Sequence, residues 1–365
     1  MSQQEEIDYN PWLYRFAIFT AAVVVFLIVA GATVTSTVSG DAVPDWPLSY
    51  GTLNPPMIGG ILWEHSHRLI AGFTGILIGV LAIWLWVAEP RKKVKWLGMA
   101  ALFAVIIQAL LGGLRVLIVS TEGVQDAAIQ LTGSTNIEAT RIAITVAHAF
   151  LAQTILCAVF AIVLFTSRSW INAETTGLQP AEYKIRWLGV GLVATVFLQL
   201  VIGALVRHTN AGLIIPDLPL SFGQLIPPFG NLPNNPNAPF PITDAEFTIR
   251  VVLHFAHRVI AFIILGLVVY VFVKFRNLPK IGLLTKSLIG LTVIQVLLGA
   301  LNIWTAKSVF STVPHVAVGA LVLANCVLLT LWAWRFYKAD FNVANAQKTV
   351  GLREAEKVNL LNPSS

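Results

Sequence analysis

At 365 residues, 56% hydrophobic and only 12% charged, the chain falls far below the roughly 25% charge of a soluble domain. Its apolar residues run in long blocks, which excludes an ordinary soluble globule. The formal charge of +6 sits mostly in short loops between those blocks, so it marks membrane orientation rather than a nucleic-acid partner.

The first ten residues are acidic and polar, and a full-length apolar run follows them. This predicts a retained first span rather than a cleaved signal. Eight blocks reach the roughly 20 residues that a membrane helix needs: 13–36, 64–88, 96–119, 141–166, 185–208, 250–274, 281–305 and 312–336. They are continuously apolar, which predicts helices rather than the alternating strands of a barrel. Basic residues gather in alternate connections: Arg91, Lys92, Lys93 and Lys95 in one, Lys274, Arg276, Lys280 and Lys286 in another, and Lys338, Lys348, Arg353 and Lys357 in the tail. Segments 37–63 and 209–249 hold no Lys or Arg. The positive-inside rule then puts both termini in the cytoplasm. Loop 209–249, with Pro227, Pro228, Pro233, Pro236, Pro239 and Pro241, is too broken for a regular helix. A folded cap and a mobile connector are both open readings.

The chain repeats itself. GATVTSTVSGDAVPDWPLSYG at 31–51 is answered by GALVRHTNAGLIIPDLPLSFG at 203–223, EHSHR at 64–68 by HFAHR at 254–258, and QALLGGL at 108–114 by QVLLGAL at 295–301. His148 and His315 follow in the next helix of each set. The order predicts two pseudo-symmetric four-helix bundles, 12–166 and 185–336, as parallel repeats about the membrane normal, with a cytoplasmic tail over 337–365.

All seven histidines (65, 67, 148, 208, 254, 257 and 315) lie near the outer ends of helices. Ionisable groups at membrane depth usually face a site or another helix. The duplicated pairs, His67 with His148 and His257 with His315, suit axial ligation of haem iron from two faces, one haem per half. Zinc fits less well, since it wants three or four converging ligands and each half repeats only two. For any one histidine the plainer reading is a polar side chain bonded to a neighbouring helix.

Arg68 and Arg258 follow the ligand candidates directly. They are placed either to meet haem propionates or to snorkel to lipid headgroups; Arg115 and Arg207 raise the same choice. Glu64 sits three residues before His67 on one helix face, whereas the second half has His254 at that place. The acid is either a proton carrier that makes the first half the reacting one, or a helix N-terminal acid favoured by the dipole. Cys157 and Cys326 lie inside apolar blocks and read as packing residues.

On Glu64-x-x-His67-Arg68, His148, His257-Arg258, His315 and the VPDWPL, GALVR, TNAG and PDLPL segments, the chain resembles the haem A synthases over about 12–336. The resemblance implies an eight-helix membrane enzyme of the cell inner (plasma) membrane that oxidises the C8 methyl of haem O to the formyl of haem A. Two successive hydroxylations and loss of water from a gem-diol are the implied route, and the product serves haem-copper oxidases. It implies haem b as cofactor on His257 and His315, haem O as substrate at His67 and His148, and an important role for Glu64. Implied partners are a membrane electron donor, haem O synthase, oxidase assembly proteins and a second copy of the chain. Many members of that family carry an outer-loop cysteine pair; this chain has none there, so thiol chemistry at that place is not expected. The competing functions are a di-haem cytochrome b-like electron carrier, which leaves Glu64 idle, and a transporter, which would put its polar cluster at the midplane.

Overall fold

The computed structural model describes residues 8–173, 184–230, 232 and 243–337. Pro233, Pro236, Pro239, Pro241 and the tail from residue 338 lie outside the described residues. The described residues are all-helical, with no strand beyond isolated bridges. The helices are α1 Pro11–Ser36, α2 Gly59–Ala88, α3 Lys92–Ser120, α4 Glu122–Thr132, α5 Ile137–Thr166, α6 Arg168–Ile171, α7 Lys184–His208, α8 Asp244–Phe275, α9 Gly282–Trp304 and α10 Val309–Phe336. Eight of them, all but α4 and α6, are long and apolar enough to cross a membrane. The shortest has 23 residues, or about 35 Å at 1.5 Å per residue, against a hydrocarbon core of about 30 Å.

Local chemistry sets the ends. Asn10 caps α1 by accepting from the amides of Trp12 and Leu13, with Pro11 at the first helical position. Thr243 and Glu246 form a capping box that starts α8 at Asp244. That is six residues before the apolar block at 250, because polar capping residues are invisible to hydropathy. Helix α2 also begins earlier than expected, at Gly59 and not 64, though with no side-chain cap. Helix α4 has no counterpart among the predicted blocks: it is short, and none of its residues is buried.

The membrane helices are apolar all round, so large side chains such as Phe26, Ile76, Phe103, Phe262 and Leu297 remain on the outside, as lipid-facing surface does. Association then rests on close packing. Helix α1 packs on α2 and α5, and α3 on the same two; α7 packs on α8 and α10, and α9 on the same two. Helix α10 also touches α1 and α5, and α5 touches α7. This makes α10 the most interior helix: 56% of its apolar window is buried, against 11% for α9. Leu192, Val268, Leu288, Leu323, Cys326 and Leu329 are central to the largest buried cluster, with Cys157 packed against it.

The two loops that follow α1 and α7 share one fold. Asp45 accepts from the amides of Tyr50 (2.7 Å) and Gly51 (2.8 Å), and Asp217 from those of Phe222 (2.7 Å) and Gly223 (2.8 Å). Desolvation works against ionisation of both carboxyls, but these amide bonds outweigh it and hold each below the usual range. Gly51 and Gly223 take φ of 70° and 76°, left-handed backbone that glycine accepts freely. Pro47 and Pro219 are both preceded by cis peptide bonds.

Candidate functional site

Each of the four repeated histidines rests on a glycine of the preceding membrane helix. A Cβ on Gly31, Gly112, Gly203 or Gly299 would stand 3.1, 3.1, 3.0 or 3.2 Å from Cε1 of His67, His148, His257 or His315 respectively. The missing side chain lets an imidazole lie edge-on against helix backbone. One of the two repeated pairs meets directly. The ring centres of His257 and His315 are 6.5 Å apart, and His67 lies within electrostatic reach of His148. Among the described residues no group of three or more His, Cys, Asp or Glu converges on a metal position.

The residues fit a haem. Two imidazoles on opposite faces of one metal, with bonds of about 2.0–2.1 Å, stand about 6 Å apart between ring centres. Buried Nδ1 atoms of His67, His257 and His315 and Oε1 atoms of Gln108, Gln199 and Gln295 have no hydrogen-bond partner among the described residues. Unpaired buried polar atoms are costly and call for a partner; a haem bound through Nε2 would leave these Nδ1 atoms as they are, so the fit rests on the approach of the imidazoles to one another.

Three of the histidines also meet a glutamine. Gln108 Nε2 lies 3.1 Å from His148 Nε2, Gln199 Nε2 3.4 Å from His257 Nε2, and Gln295 Nε2 3.3 Å from His315 Nε2. His148 Nδ1 is in addition 3.1 Å from the Gln108 carbonyl. These glutamines and the glycine seats are the site residues that sequence reasoning missed. Their signal was a Q-x-x-x-G spacing, inside segments already matched at 108–112 and 295–299 but starting outside them at Gln199, and absent before Gly31.

Glu64 and His254 occupy one hub, built twice. Glu64 accepts from the Val43 amide (2.9 Å) and from Arg68 (2.6 Å). His254 meets the Ile215 amide (3.4 Å) and Arg258 Nε (3.3 Å) at the equivalent place. Both side chains are buried. Arg68 donates to the carbonyls of Asp45, Leu48 and Val43, and Arg258 to those of Asp217, Leu220 and Ile215. The arginines therefore staple the outer loops to α2 and α8. A guanidinium carries five N–H donors, so each keeps capacity for one more acceptor.

Three further outer arginines are also engaged, whereas Arg250 Nη1 is buried with no partner among the described residues. Arg115 donates to the Gly40 carbonyl and pairs with Asp41 at 3.4 Å, Arg141 pairs with Asp41 and Glu138, and Arg207 bonds the Ala32 carbonyl and Ser36 Oγ across to α1. His65 is held by Ser49 Oγ at 2.8 Å. His208 lies within electrostatic reach of Arg207, Arg115, Arg141 and His148.

The chain matches the family COX15-CtaA, described as cytochrome oxidase assembly protein, over residues 57–327. It is similar to proteins named Heme A synthase. The one from Lysinibacillus sphaericus is 31% identical over 221 residues, 60% of this chain and 65% of the relative. The one from Bacillus licheniformis is 27% identical over 58% of this chain and 64% of the relative. These two matches span just under two thirds of the relatives' length. The match to the Listeria welshimeri protein is 26% identical and runs over 89% of this chain and 97% of the relative.

Proposed function

Because the chain belongs to the COX15-CtaA family of cytochrome oxidase assembly proteins, we propose that it acts as a haem A synthase, oxidising the C8 methyl of haem O to the formyl of haem A. The observation that carries this reading is the fourfold seating of histidine on glycine, two seats in each half, with His257 and His315 6.5 Å apart. The names of its relatives agree with it.

The proposed architecture is two pseudo-symmetric four-helix halves, 12–166 and 185–336, in the plasma membrane with both termini and the tail in the cytoplasm. Support comes from the repeated outer loops and hubs and from the basic segments 89–96 and 274–286. His67 and His148 hold the substrate haem O, and His257 and His315 hold a haem b cofactor. Haem b there would supply a one-electron relay between a membrane electron donor and the reacting half.

The protein's own groups do the rest. Each glycine seat fixes the approach of its imidazole, and the apolar helix faces keep water from the site. Arg68 and Arg258 hold the outer loops over the two sites and direct their spare N–H to propionates at the rim. Glu64, one helical turn from His67, passes a proton at the reacting end. Val43 and Arg68 take one lone pair on each of its oxygens, which leaves acceptor sites for that proton. His254 in the second half has no such acid, which favours division of labour between the halves. Haem O synthase, oxidase assembly proteins and a second copy of the chain are the proposed partners.

The test is direct. The protein is expressed with a source of haem O, and the extracted haems are separated by chromatography and identified by mass. Haem A is the expected product. Accumulation of unaltered haem O, with haem bound to the purified protein, overturns the oxidising function and leaves a di-haem carrier.

A further inference from the structure

We infer that Arg250 binds a propionate of the second-half haem and that the first half has no equivalent clamp, which rests on the reading that His257 and His315 hold haem.

Arg250 and His257 lie seven residues apart on α8. Seven residues fall only about 20° short of two full turns, so both project from one face, with a rise of about 10 Å between them. That rise is on the scale of half a porphyrin with its propionate arm. His257 faces α7 and α10, where Gly203 seats it and His315 meets it. A porphyrin clamped between α8 and α10 stands with its edges along the helices. Its carboxylate edge turns toward the helix ends, because ionised groups at membrane depth are costly. Arg250 waits on that side, near the start of α8.

The guanidinium is unclaimed. Its Nη1 is buried with no partner among the described residues. Every ion pair among the described residues joins positions between 41 and 141, so no carboxylate neutralises Arg250. Glu246, one turn before it, is held in the capping box with Thr243. A snorkelling arginine keeps its charged head in water or among headgroups. A buried, unbonded Nη1 does not match that and calls for an acceptor.

Arg258 does not suffice for both propionates. It spends four of its N–H donors on His254 and on the carbonyls of Asp217, Leu220 and Ile215, which leaves one. Arg250 supplies a second fork, whose planar geometry takes a carboxylate through two parallel bonds.

The first half closes this place. EHSHR at 64–68 aligns with HFAHR at 254–258, which sets Gly60 opposite Arg250. A Cβ on Gly60 would stand 2.8 Å from that of Ala42, so the loop after α1 packs where an arginine stem would run. The half that keeps its haem carries the clamp, and the half that must release a product does not.

Haem loss reads out the clamp. His67→Ala leaves the second-half haem alone in the purified protein, and an excess of apomyoglobin takes up what dissociates. On that background Arg250→Gln should speed the loss by about tenfold, the scale of one charge-assisted hydrogen bond. Arg250→Lys keeps the charge without the fork and should fall between. Haem dimethyl ester has its carboxylates blocked, so the parent protein and Arg250→Gln should lose it at one rate. Retained b-type absorbance before transfer shows that each variant is folded; if Arg250→Gln retains none, Arg250→Lys carries the same comparison. Unchanged haem loss overturns the assignment. So does an equal acceleration with the dimethyl ester, which would make Arg250 a packing residue. An acceleration present in phosphatidylglycerol vesicles and absent in phosphatidylcholine gives Nη1 to a lipid phosphate and overturns it as well. Should His257→Ala leave the haem content of the purified protein unchanged, the haem reading itself fails, a result separate from all of these.

Discussion

Glu64 and His254 show how far a single position can diverge inside one built frame. Both bridge a loop amide and an arginine, and both lie one turn before a repeated histidine. Removing one partner of a buried ion pair typically costs about 3–5 kcal/mol, so Glu64→Ala confounds chemistry with collapse of the loop. The second half supplies a better substitution. Glu64→His copies the arrangement that already works beside Arg258. It should leave the folded protein and the second-half haem absorbance intact, while haem A formation falls by about a hundredfold or more, the scale of a lost acid–base group. Wild-type haem A yield in Glu64→His would reduce Glu64 to a loop anchor.

At the scale of helices, the glycine seats make a separate prediction. A Cβ on Gly203 would press His257 at 3.0 Å, whereas Gly191 on the same helix has nothing within 4 Å. Gly203→Val should therefore lower b-type haem content in the purified protein. Gly191→Ala should keep it and gain about 0.5–1 kcal/mol of helix stability. Equal haem content in the two would show that the seat does not set the imidazole. The contrast also marks what was readable beforehand. The eight spans were legible because membrane helices announce themselves by composition over 20 residues. Their starts were not, because Thr243 and Glu246 begin α8 with polar chemistry, and α4 escaped because it is short and exposed. The histidines were legible because they recur with neighbours in a fixed order. Glycine and glutamine carry no chemistry that flags them alone; their meaning lies in which imidazole they touch, and that needs the packing of α3 on α5 or α7 on α8. The loop carbonyls that Arg68 and Arg258 hold were hidden for the same reason, since they exist as a cluster only once the 45–51 and 217–223 turns have folded.

Across the whole molecule, charge and site separate to opposite ends. The histidine sites, the two folded loops and the hubs share one end; the first turn of α3, with Lys92, Lys93 and Lys95, lies at the other. Cations at the site end are largely bound within the protein: Arg68 to Glu64, Arg115 and Arg141 to Asp41, Arg207 to α1. Burial, with Arg207 nearby, also pushes the Lys307 ammonium below its ordinary range. Positive-inside sorting acts on loop charges free to meet water and anionic headgroups, so these internal cations weigh little against the free lysines of the opposite end. The expected orientation puts the sites outward. Single cysteines test it: Leu53 is 74% exposed on the site-end loop, and Lys93 is exposed at the other end. Native Cys326 is buried and Cys157 lies within α5, so neither competes strongly for reagent. In intact cells a membrane-impermeant maleimide should modify Leu53→Cys at once and Lys93→Cys only after permeabilisation. The reverse pattern would turn the molecule over. It would put the substrate site on the cytoplasmic side and leave the charge distribution as a feature of packing rather than of insertion.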